Sequence, residues 1–294
     1  MRMHVGHVAM RVTDLAKSVD HATRTLGLRV TSQSATEAYL SANEKHHELL
    51  LIAAPLAGLD HVGLEIEDPA DLDAMRDRVI ASGARVLTEN LTEAGILMGF
   101  KCIGPEGIVF ELYSGMVRIP RTLETTIPAL ARKLGHVTFY AEEKAEVERF
   151  LVDVLGFRVS DRHGSLATWM RCDPDHHGIA VGQSIRGSGS RLHHYAFQME
   201  SIGEIAHYAD HIARDGQHFL WGPGRHGPGF NIFTYLLDPE EAIVEVYSDL
   251  LRIDDEASYK AIDWSTHPHA MNMWGQDSPE GWSEIGVPIL SPNR

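Results

Sequence analysis

Cysteine is scarce in this sequence, and positive charge is outnumbered by negative charge. The 294 residues include two cysteines, Cys102 and Cys172, and no CxxC pair. This disfavours a disulfide framework, so we expect a reducing compartment, the cytoplasm. Lysine and arginine number 26 against 41 acidic residues, which gives a formal net charge of −15. The acidic balance disfavours nucleic acid and anionic membranes as partners, because both would repel it.

Long apolar runs are also missing. The opening MRMHVGHVAMRV has no apolar stretch followed by a cleavage site, and no segment is long enough to span a bilayer. We therefore expect no signal peptide and no transmembrane helix. The sequence does have 44% hydrophobic residues, enough for one large core or two ordinary ones, and 18 histidines. Most of these histidines are expected on the surface, but a few occupy patterned positions.

The chain contains an internal repeat. Three segments of the first half recur in the second half, in the same order and with similar spacing. The pairs are GHVAMRV (6–12) with GHVTFYA (135–141), LDHVGLEIED (59–68) with LHHYAFQMES (192–201), and GPEGIVFELYSG (104–115) with DPEEAIVEVYSD (238–249). Chance is a poor explanation for three ordered matches, so we interpret the protein as two related halves.

Each half divides again into two similar units. In every unit an alternating strand leads into a helix with apolar residues at helical spacing, and shorter strands follow. The predicted helices cover residues 15–26, 69–82, 142–155 and 202–214. The sequence therefore predicts an α+β fold of four βαβββ units, paired into two modules. Each module is expected to be a curved mixed sheet that encloses a cavity, where metals and small ligands bind.

The repeat also sets the predicted domain boundaries. Residues 1–115 form the N-terminal module and residues 134–249 form the C-terminal module. Residues 116–133 match no repeat and contain two prolines, so they are predicted to be a linker. The tail, residues 250–294, carries Trp264, Trp274 and Trp282. Because tryptophan is costly to leave in water, we expect the tail to pack on the C-terminal module.

Three metal-ligand residue types fall in the repeated strands of the second half. His136 and His194 lie in the first strands of two units, and Glu245 lies in the last strand of the second of these units. Their wide spacing rules out a local zinc finger but allows convergence inside a cup of two units. Two histidines and one carboxylate form the facial triad of Fe(II) oxygenases, which leaves coordination positions open. Singly, each could instead be a core histidine or a solvent-facing glutamate.

The first half has the same residue types at matching positions, namely His7, His61 and Glu111. By ligand type alone, either half could hold a metal ion. Counting back from the glutamates, Lys101 corresponds to Tyr235 and Thr92 corresponds to His226. An ammonium group repels a divalent cation, so the second half is the predicted metal site and no catalytic metal is expected in the first. Residual metal binding in the first half is left open.

Several motifs resemble a known family. GPGRHGPGFNIFTYLLDPEEAIVEVYSD (222–249) is similar to the signature region of type I extradiol ring-cleavage dioxygenases. These are the catechol 2,3-dioxygenases and homoprotocatechuate 2,3-dioxygenases of the vicinal oxygen chelate superfamily. LGHV, RLHHYAF, IDWSTH and WGQDSPEGWSE resemble the same family over the whole chain. The sequence departs from the family pattern at Glu241 and Thr234, neither of which would ligate a metal.

The resemblance implies an iron enzyme that incorporates both atoms of O₂. His136, His194 and Glu245 would hold Fe(II), with Mn(II) as a second possibility because the same ligand set suits both metals. In RLHHYAF the ligand would be the second histidine, not His193. The implied reaction is extradiol cleavage of a catechol to a 2-hydroxymuconic-semialdehyde-type product, in aromatic catabolism. The family also implies a homo-oligomer, with a tetramer favoured.

Other roles follow residue by residue from the same resemblance. His177 matches a histidine on the oxygen-binding side, where an imidazole with a pKa near working pH could donate a proton. His226 and Tyr235 match residues that hydrogen-bond the substrate's metal-bound oxygen. Trp169 matches a tryptophan of the pocket wall. His177 could instead be a loop histidine, and Trp169 could be a tryptophan that belongs to the core.

The substrate preference is predicted from arginine positions of the family that hold other residues in this sequence. In the homoprotocatechuate-cleaving members an arginine precedes GPGRHG, and here that position is Trp221. An arginine pair of their tail is replaced by HPHAMNMW (267–274). Without a cation for a substrate carboxylate, we expect Trp221 to contact an uncharged or apolar catechol, an alkylcatechol or a bicyclic diol.

Two other functional classes remain possible from the sequence. One is another metal-dependent enzyme of the superfamily, such as a glyoxalase, an epimerase or a thiol transferase, which would share the units and the ligands. The other is a binding protein without enzymatic activity, which would need no metal triad. Neither class would need the combination of His177, His226 and Tyr235. Colour formation with catechol in air would distinguish both from a dioxygenase.

Overall fold

A computed structural model describes residues 1–88, 93–120 and 131–290 of the chain. The first half forms an eight-stranded sheet. Its strands are β1 (Met3–Val12), β2 (Arg29–Gln33), β3 (Glu37–Ser41), β4 (Leu49–Ala53), β5 (Gly58–Ile66), β6 (Arg85–Thr88), β7 (Ile96–Ile103) and β8 (Val109–Met116). Their order across the sheet is β2-β3-β4-β1-β5-β8-β7-β6, so the first strands of the two units meet in the middle.

The second half forms a ten-stranded sheet of related order. Its strands are β9 (Lys133–Ala141), β10 (Arg158–His163), β11 (Ala167–Arg171), β12 (Ile179–Gln183), β13 (Arg191–Gln198), β14 (Trp221–Arg225), β15 (Ile232–Leu237), β16 (Ile243–Ser248), β17 (Ile262–Asp263) and β18 (Val287–Pro288). The order is β14-β15-β16-β13-β9-β12-β11-β10-β17, and β18 pairs with β13. The two short strands β17 and β18 come from the tail.

Each unit carries one helix after its first strand. The helices are α1 (Leu15–Arg24), α2 (Ala70–Ala81), α3 (Lys144–Arg149) and α4 (Ile202–Arg214). All four lie within the predicted segments, and α3 passes directly into a π-helical turn at Phe150–Val154. Short 3₁₀ helices occur at Pro105–Gly107, Pro228–Phe230, Trp264–Thr266 and Trp282–Glu284. Within the described ranges, no helix has the length and apolar character needed to cross a membrane.

Strand pairing confirms the four βαβββ units. In each unit the first strand pairs in parallel with the last, as β1 with β4, β5 with β8, β9 with β12 and β13 with β16. The first strands of neighbouring units pair antiparallel, as β1 with β5 and β9 with β13. A parallel return requires a crossover connection, which the helix and the intervening strands supply. The predicted α+β fold of two modules is therefore confirmed.

Apolar packing joins the two modules. One cluster of buried apolar side chains includes residues from both sheets, and Phe110 stacks on Phe150 with ring centroids 5.8 Å apart. The buried carboxylate of Glu48 accepts a hydrogen bond from the backbone N–H of Leu134 at 3.0 Å. Most of the predicted linker, residues 121–130, lies outside the described residues.

The tail packs on the C-terminal module through two of its three tryptophans. Trp264 is buried and its Nε1 donates to Asp161 Oδ2 at 2.7 Å. Trp282 packs its ring edge-on to His193, with centroids 4.7 Å apart. Trp274 differs from the expectation, because 51% of its surface is exposed. The tail also reaches the N-terminal module, where Leu290 N donates to Leu59 O at 2.9 Å.

Candidate metal centre and active site

Three neighbouring strands at the centre of the second sheet carry the predicted metal ligands. His136 lies in β9, His194 in β13 and Glu245 in β16, and β13 lies between the other two. Ala196 of β13 pairs with His136 on one side and with Glu245 on the other. Side chains two positions apart in a strand share a face, as do directly opposed residues. Strand register thus brings His136 and Glu245 together although they are 109 positions apart.

The three ligand atoms converge in the interior. His136 Nε2 lies 3.0 Å from Glu245 Oε2, and His194 Nε2 lies 3.2 Å from the same oxygen. The other carboxylate oxygen, Oε1, accepts a hydrogen bond from Asn231 Nδ2 at 2.9 Å. All three predicted ligands are buried, with His194 the most exposed at 7%. Asn231 was not foreseen in the sequence, and it fixes the carboxylate so that Oε2 faces the histidines.

Electrostatics favour the protonation states that bind metal. Burial alone would raise the pKa of Glu245, but the neighbouring His136 and His194 outweigh it and hold that pKa well below its ordinary value. Burial lowers the pKa of His194 in spite of its contact with Glu245. An ionised carboxylate and a neutral imidazole are the forms that coordinate a divalent cation. The donor set of two histidines and one carboxylate therefore fits Fe(II) or Mn(II).

His193 orients the ligand beside it. Its Nε2 lies 3.0 Å from the carbonyl oxygen of Trp282, and its Nδ1 lies 2.6 Å from His194 Nδ1. This network assigns the protons: His193 donates to the carbonyl, His194 donates to His193, and the lone pair of His194 Nε2 faces the metal position. Such outer partners set the ring orientation of metal-bound histidines. The sequence excluded His193 as a ligand but gave no signal for this role.

A second histidine pair lies on the other side of the centre. The ring of His177 lies 4.4 Å from that of His136, and its Nδ1 lies 3.0 Å from His176 Nδ1. His176 Nε2 lies 3.1 Å from the buried carboxylate of Asp161, which the tail also holds through Trp264. Burial lowers the pKa of His177 well below its ordinary value, and the nearby histidines add to this effect. His177 is thus held neutral with Nε2 free.

His226 and Tyr235 form a hydrogen-bonded pair beside the predicted ligands. His226 Nδ1 lies 2.6 Å from the carbonyl oxygen of Met271, to which it donates, and its Nε2 lies 2.9 Å from the hydroxyl of Tyr235. Burial lowers the pKa of His226 to about 4, although Glu245 acts in the opposite direction. Burial raises the pKa of Tyr235 well above its ordinary value. Near neutral pH the tyrosine therefore keeps its proton, and the imidazole accepts it in a hydrogen bond.

These groups line one cavity of about 380 Å³. Its polar wall includes all the predicted ligands and the three predicted catalytic residues, namely His136, His194, Glu245, His177, His226 and Tyr235. The apolar part includes Trp169, Leu166, Ala180, Ile185 and Trp282. Among the described residues, no lysine or arginine side chain lines this cavity. The cavity is therefore a small, largely apolar site whose wall carries a few polar groups.

Trp221 does not lie on the wall of this cavity. Its ring is 2% exposed and stacks behind Tyr235, with centroids 5.8 Å apart and planes at 12°. It also packs against Phe233 and Trp282, at 4.6 Å and 5.0 Å between centroids. Substrate contact by Trp221 stays a prediction; the structure shows its ring packed behind the tyrosine, because β14 pairs Trp221 opposite Tyr235.

In the first half, a similar set of side chains surrounds an ammonium group. His7, His61 and Glu111 come together, with His7 Nε2 2.8 Å from Glu111 Oε2 and 3.2 Å from His61 Nε2. Lys101 Nζ lies 3.5 Å from Glu111 Oε1 and 3.0 Å from Glu93 Oε2. Glu93 was not among the residues selected in the sequence, because no repeat match marks it.

Lys101, which forms an ion pair with Glu93, stands where the second half has Tyr235. Lys101 pairs with Glu111 across β7 and β8, as Tyr235 does with Glu245 across β15 and β16. Thr92, which the sequence aligned with His226, lies outside the described residues. The second half therefore has the neutral tyrosine–histidine pair, while the first half has a charged one.

Comparison with known proteins places the chain in a family. The family model for the "Glyoxalase/Bleomycin resistance protein/Dioxygenase superfamily" matches residues 4–112 and 133–246. A manganese-dependent 2,3-dihydroxybiphenyl 1,2-dioxygenase from Geobacillus genomosp. 3 is 27% identical over 284 residues, which are 89% of this chain and 90% of the relative. An iron-dependent extradiol dioxygenase from Rhodococcus jostii is 22% identical over 302 residues, covering 94% and 97%.

Solved structures share the architecture. A Mn(II)-bound glyoxalase from Novosphingobium aromaticivorans superposes with a TM-score of 0.87 at 27% identity, covering 99% of this chain and 96% of the other. A homoprotocatechuate 2,3-dioxygenase variant from Brevibacterium fuscum gives a TM-score of 0.89 at 25% identity, covering 99% and 83%. The two matched stretches of the family model coincide with the two sheets described above. The chain belongs to the Glyoxalase/Bleomycin resistance protein/Dioxygenase superfamily.

Proposed function

We propose that this protein is an extradiol dioxygenase that opens a catechol-type aromatic diol at the metal centre of its second half. One observation carries the proposal. The triad of His136, His194 and Glu245 shares its cavity with His177 on one side and with the His226–Tyr235 pair on the other. A binding protein would need neither His177 nor the His226–Tyr235 pair, and two dioxygenase relatives match 89% and 94% of this chain.

The metal ion, when bound, would supply open coordination positions for the diol and O₂ and a path for electrons between them. The pair of His226 and Tyr235 receives the diol proton. Tyr235 and His226 both line the cavity, and His226 Nε2 is an acceptor because its Nδ1 donates to Met271 O. A diol hydroxyl that donates to the tyrosine oxygen would pass a proton along this pair.

His177 acts on the opposite flank, as the group that meets oxygen. Its Nδ1 is turned toward His176, so its Nε2 faces the cavity. With Nδ1 donating to His176, the Nε2 of a neutral His177 is an acceptor, so it takes up the second diol proton, hydrogen-bonds the negative charge that develops on oxygen, and returns that proton when the ring opens. The cavity wall is apolar at Trp169, Leu166 and Ile185. Both oxygen atoms of O₂ enter the product, a 2-hydroxymuconic-semialdehyde-type compound.

The substrate of this proposal is an uncharged diol. A cavity of about 380 Å³ is at the small end of the range for ligand sites, roughly 300–1,000 Å³. A carboxylate on the substrate would be buried there without a lysine or arginine partner among the described lining residues. We expect catechol, an alkylcatechol or a compact bicyclic diol to be preferred. A panel in which homoprotocatechuate gives the highest kcat/KM would contradict this preference.

The test is oxygen uptake by protein loaded anaerobically with Fe(II) or Mn(II), over a panel of catechols, with absorbance of the yellow product. We expect one O₂ consumed per diol in the wild type and none in His194→Ala. His61→Ala is the matched control, because it changes the equivalent histidine of the first half and should keep the activity. Protein with tightly bound metal that consumes no O₂ with any diol would overturn the proposal.

A glyoxalase-like activity is the second candidate, and the solved glyoxalase of the same fold favours it. Such an enzyme would isomerise an aldehyde–thiol adduct at the same metal ion, without consuming O₂ or opening a ring. Metal-loaded protein mixed with methylglyoxal and a thiol separates the two candidates. Thioester formation, with no O₂ consumed in the presence of any diol, would favour the glyoxalase hypothesis.

The proposal includes a cytoplasmic, homo-oligomeric enzyme, with a tetramer favoured. Cys102 and Cys172 are both buried free thiols, which accords with a reducing compartment. The proposed domain assignment places catalysis in residues 134–249, with the tail of residues 250–294 closing the site through Trp282 and Met271. Light scattering of purified protein measures the oligomeric state, and a monomer at working concentration would contradict this part.

A further inference from the structure

The N-terminal module carries four metal-ligand side chains that meet at one point, namely His7, His61, Glu93 and Glu111, here called the N-terminal cluster. His61 Nε2 lies 3.3 Å from Glu111 Oε2 and 3.2 Å from Glu93 Oε2. His7 Nε2 lies 2.8 Å from Glu111 Oε2 and 3.3 Å from Glu93 Oε1. All four ligand atoms lie within 4.8 Å of one another, as do those of His136, His194 and Glu245.

Outer contacts orient this cluster as they do a metal site. His61 Nδ1 lies 2.7 Å from Asp60 Oδ1, and the other oxygen of Asp60 accepts a hydrogen bond from Arg11 Nε at 2.6 Å. An imidazole that donates from Nδ1 to a carboxylate presents the Nε2 lone pair to the cluster, as metal-bound histidines do. Asp60 precedes its ligand by one residue, as His193 precedes His194. The two modules therefore orient equivalent histidines with different partners.

The surroundings of the Glu111 carboxylate favour a bound cation. Its side chain is completely buried, and neither carboxylate oxygen has a partner with hydrogen-bond geometry among the described residues. His7 Nε2 at 2.8 Å and Lys101 Nζ at 3.5 Å are close, but they lie off the direction that a hydrogen bond requires. In the second half Asn231 holds one oxygen of the equivalent Glu245. A buried carboxylate without such a donor needs a charge partner, which a coordinated metal ion supplies.

Lys101 supplies a single positive charge to the cluster and has room to leave it. Its Nζ lies 3.0 Å from Glu93 Oε2 and 3.3 Å from His61 Nε2. The side chain is 20% exposed and lies on the wall of a polar cavity of about 240 Å³, which Glu37 also lines. A lysine on its flexible four-carbon stem can turn into that cavity, where it would still face an acidic side chain.

We propose that the N-terminal cluster binds a divalent first-row metal ion through His7, His61, Glu93 and Glu111, and that the Lys101 ammonium takes its place when the metal is absent. Four protein ligands leave the ion closed to substrate, which is typical of a structural site. The ion would tie β1, β5 and β8 to the segment that contains Glu93. Metal bound at the N-terminal cluster thus stabilises the N-terminal module and takes no part in ring opening.

Metal counting on the full-length protein tests this inference. Protein is freed of metal, incubated with excess Mn(II) or Zn(II), desalted and analysed by plasma mass spectrometry. We expect two ions per chain in the wild type, one in Glu245→Ala, one in the Glu93→Gln/Glu111→Gln variant, and none when all three changes are combined. One ion in the wild type together with none in Glu245→Ala would overturn the inference. The count does not depend on turnover, so it stands or falls separately from ring cleavage.

Lys101→Met and thermal unfolding complete the test. Without the competing Lys101 ammonium, the metal affinity of the N-terminal cluster should rise about tenfold or more. Metal titration in the Glu245→Ala background measures this affinity. In that background, Mn(II) should still raise the unfolding temperature, and adding both Glu93→Gln and Glu111→Gln should abolish the rise. A second ion that binds only in Lys101→Met would also overturn the inference, because Lys101 would then exclude metal from the natural protein.

Discussion

Replacing His193 with leucine should weaken metal binding at the catalytic centre although His193 contacts no metal. The side chain links His194 Nδ1, at 2.6 Å, to the carbonyl oxygen of Trp282, at 3.0 Å. Leucine fills a similar buried volume but can neither accept from His194 nor donate to the tail. His194 then loses the contact that fixes its tautomer, so Nε2 is no longer held toward Glu245.

The magnitude follows from the two lost hydrogen bonds. At about 0.5–1.5 kcal/mol each, their loss costs about 1–3 kcal/mol. Because about 1.4 kcal/mol corresponds to a tenfold change in affinity, we expect a loss of about 10- to 100-fold. Competition with a chelator of known affinity measures the metal dissociation constant, and oxygen uptake at saturating metal measures what remains of kcat. Affinity should fall much more than kcat.

The first module supplies a rescue variant. Asp60 occupies the equivalent position and lies 2.7 Å from His61 Nδ1. His193→Asp should therefore recover most of the affinity that His193→Leu loses, since a carboxylate can accept from His194. Metal affinity of His193→Leu within twofold of wild type would refute the reasoning, and so would an equal loss in the leucine and aspartate variants.

Three further predictions concern other parts of the molecule. Tyr235→Phe removes the hydroxyl that lies 2.9 Å from His226 Nε2 and should lower kcat by about 10²-fold or more with metal content unchanged; an unaltered kcat would remove the pair from the mechanism. Gly135→Ala would place Cβ 1.8 Å from the hydroxyl of Tyr247, so the free energy of unfolding should fall by about 1–3 kcal/mol in urea titrations, and an unchanged midpoint would contradict the close approach. Burial lowers the pKa of His21 to about 4, against the smaller effect of Asp20. The unfolded chain therefore takes up this proton near pH 6.5 and the folded chain near pH 4, so stability is lost as the pH falls between these values, by on the order of 3 kcal/mol in total. His21→Gln should lose less stability than wild type over this window, and parallel pH profiles would contradict the assignment.

The repeat made the fold predictable from the sequence. Alternating apolar strands and helices with apolar residues at helical spacing recur four times, and the structure contains the corresponding helices α1 to α4 within the predicted segments. These patterns are local, because each reflects which face of an element is buried. The π-helical turn at Phe150–Val154 was not predictable, since its side chains follow the same apolar pattern as an α-helix.

The site was only partly predictable. The predicted ligands, which follow the strand repeat, and the predicted catalytic residues, which follow the family resemblance, all line one cavity. The position of Trp221 behind Tyr235 was not predictable, since the sequence indicates the strand of a residue but not which side of a neighbouring ring its side chain takes. Glu93 and Asn231 were missed because each acts through a contact between segments that no periodicity marks.

By itself, the sequence determined the fold class, the two modules and the residue types of two possible metal sites, because repeats and alternation are written along the chain. Only the tertiary structure decided what surrounds each set. It gave the second half a neutral tyrosine–histidine pair and an asparagine on its glutamate, and it gave the first half Glu93 and the ammonium of Lys101. The physical reason is that the charge and openness of a metal site depend on side chains from distant segments, which meet only when the strands pair.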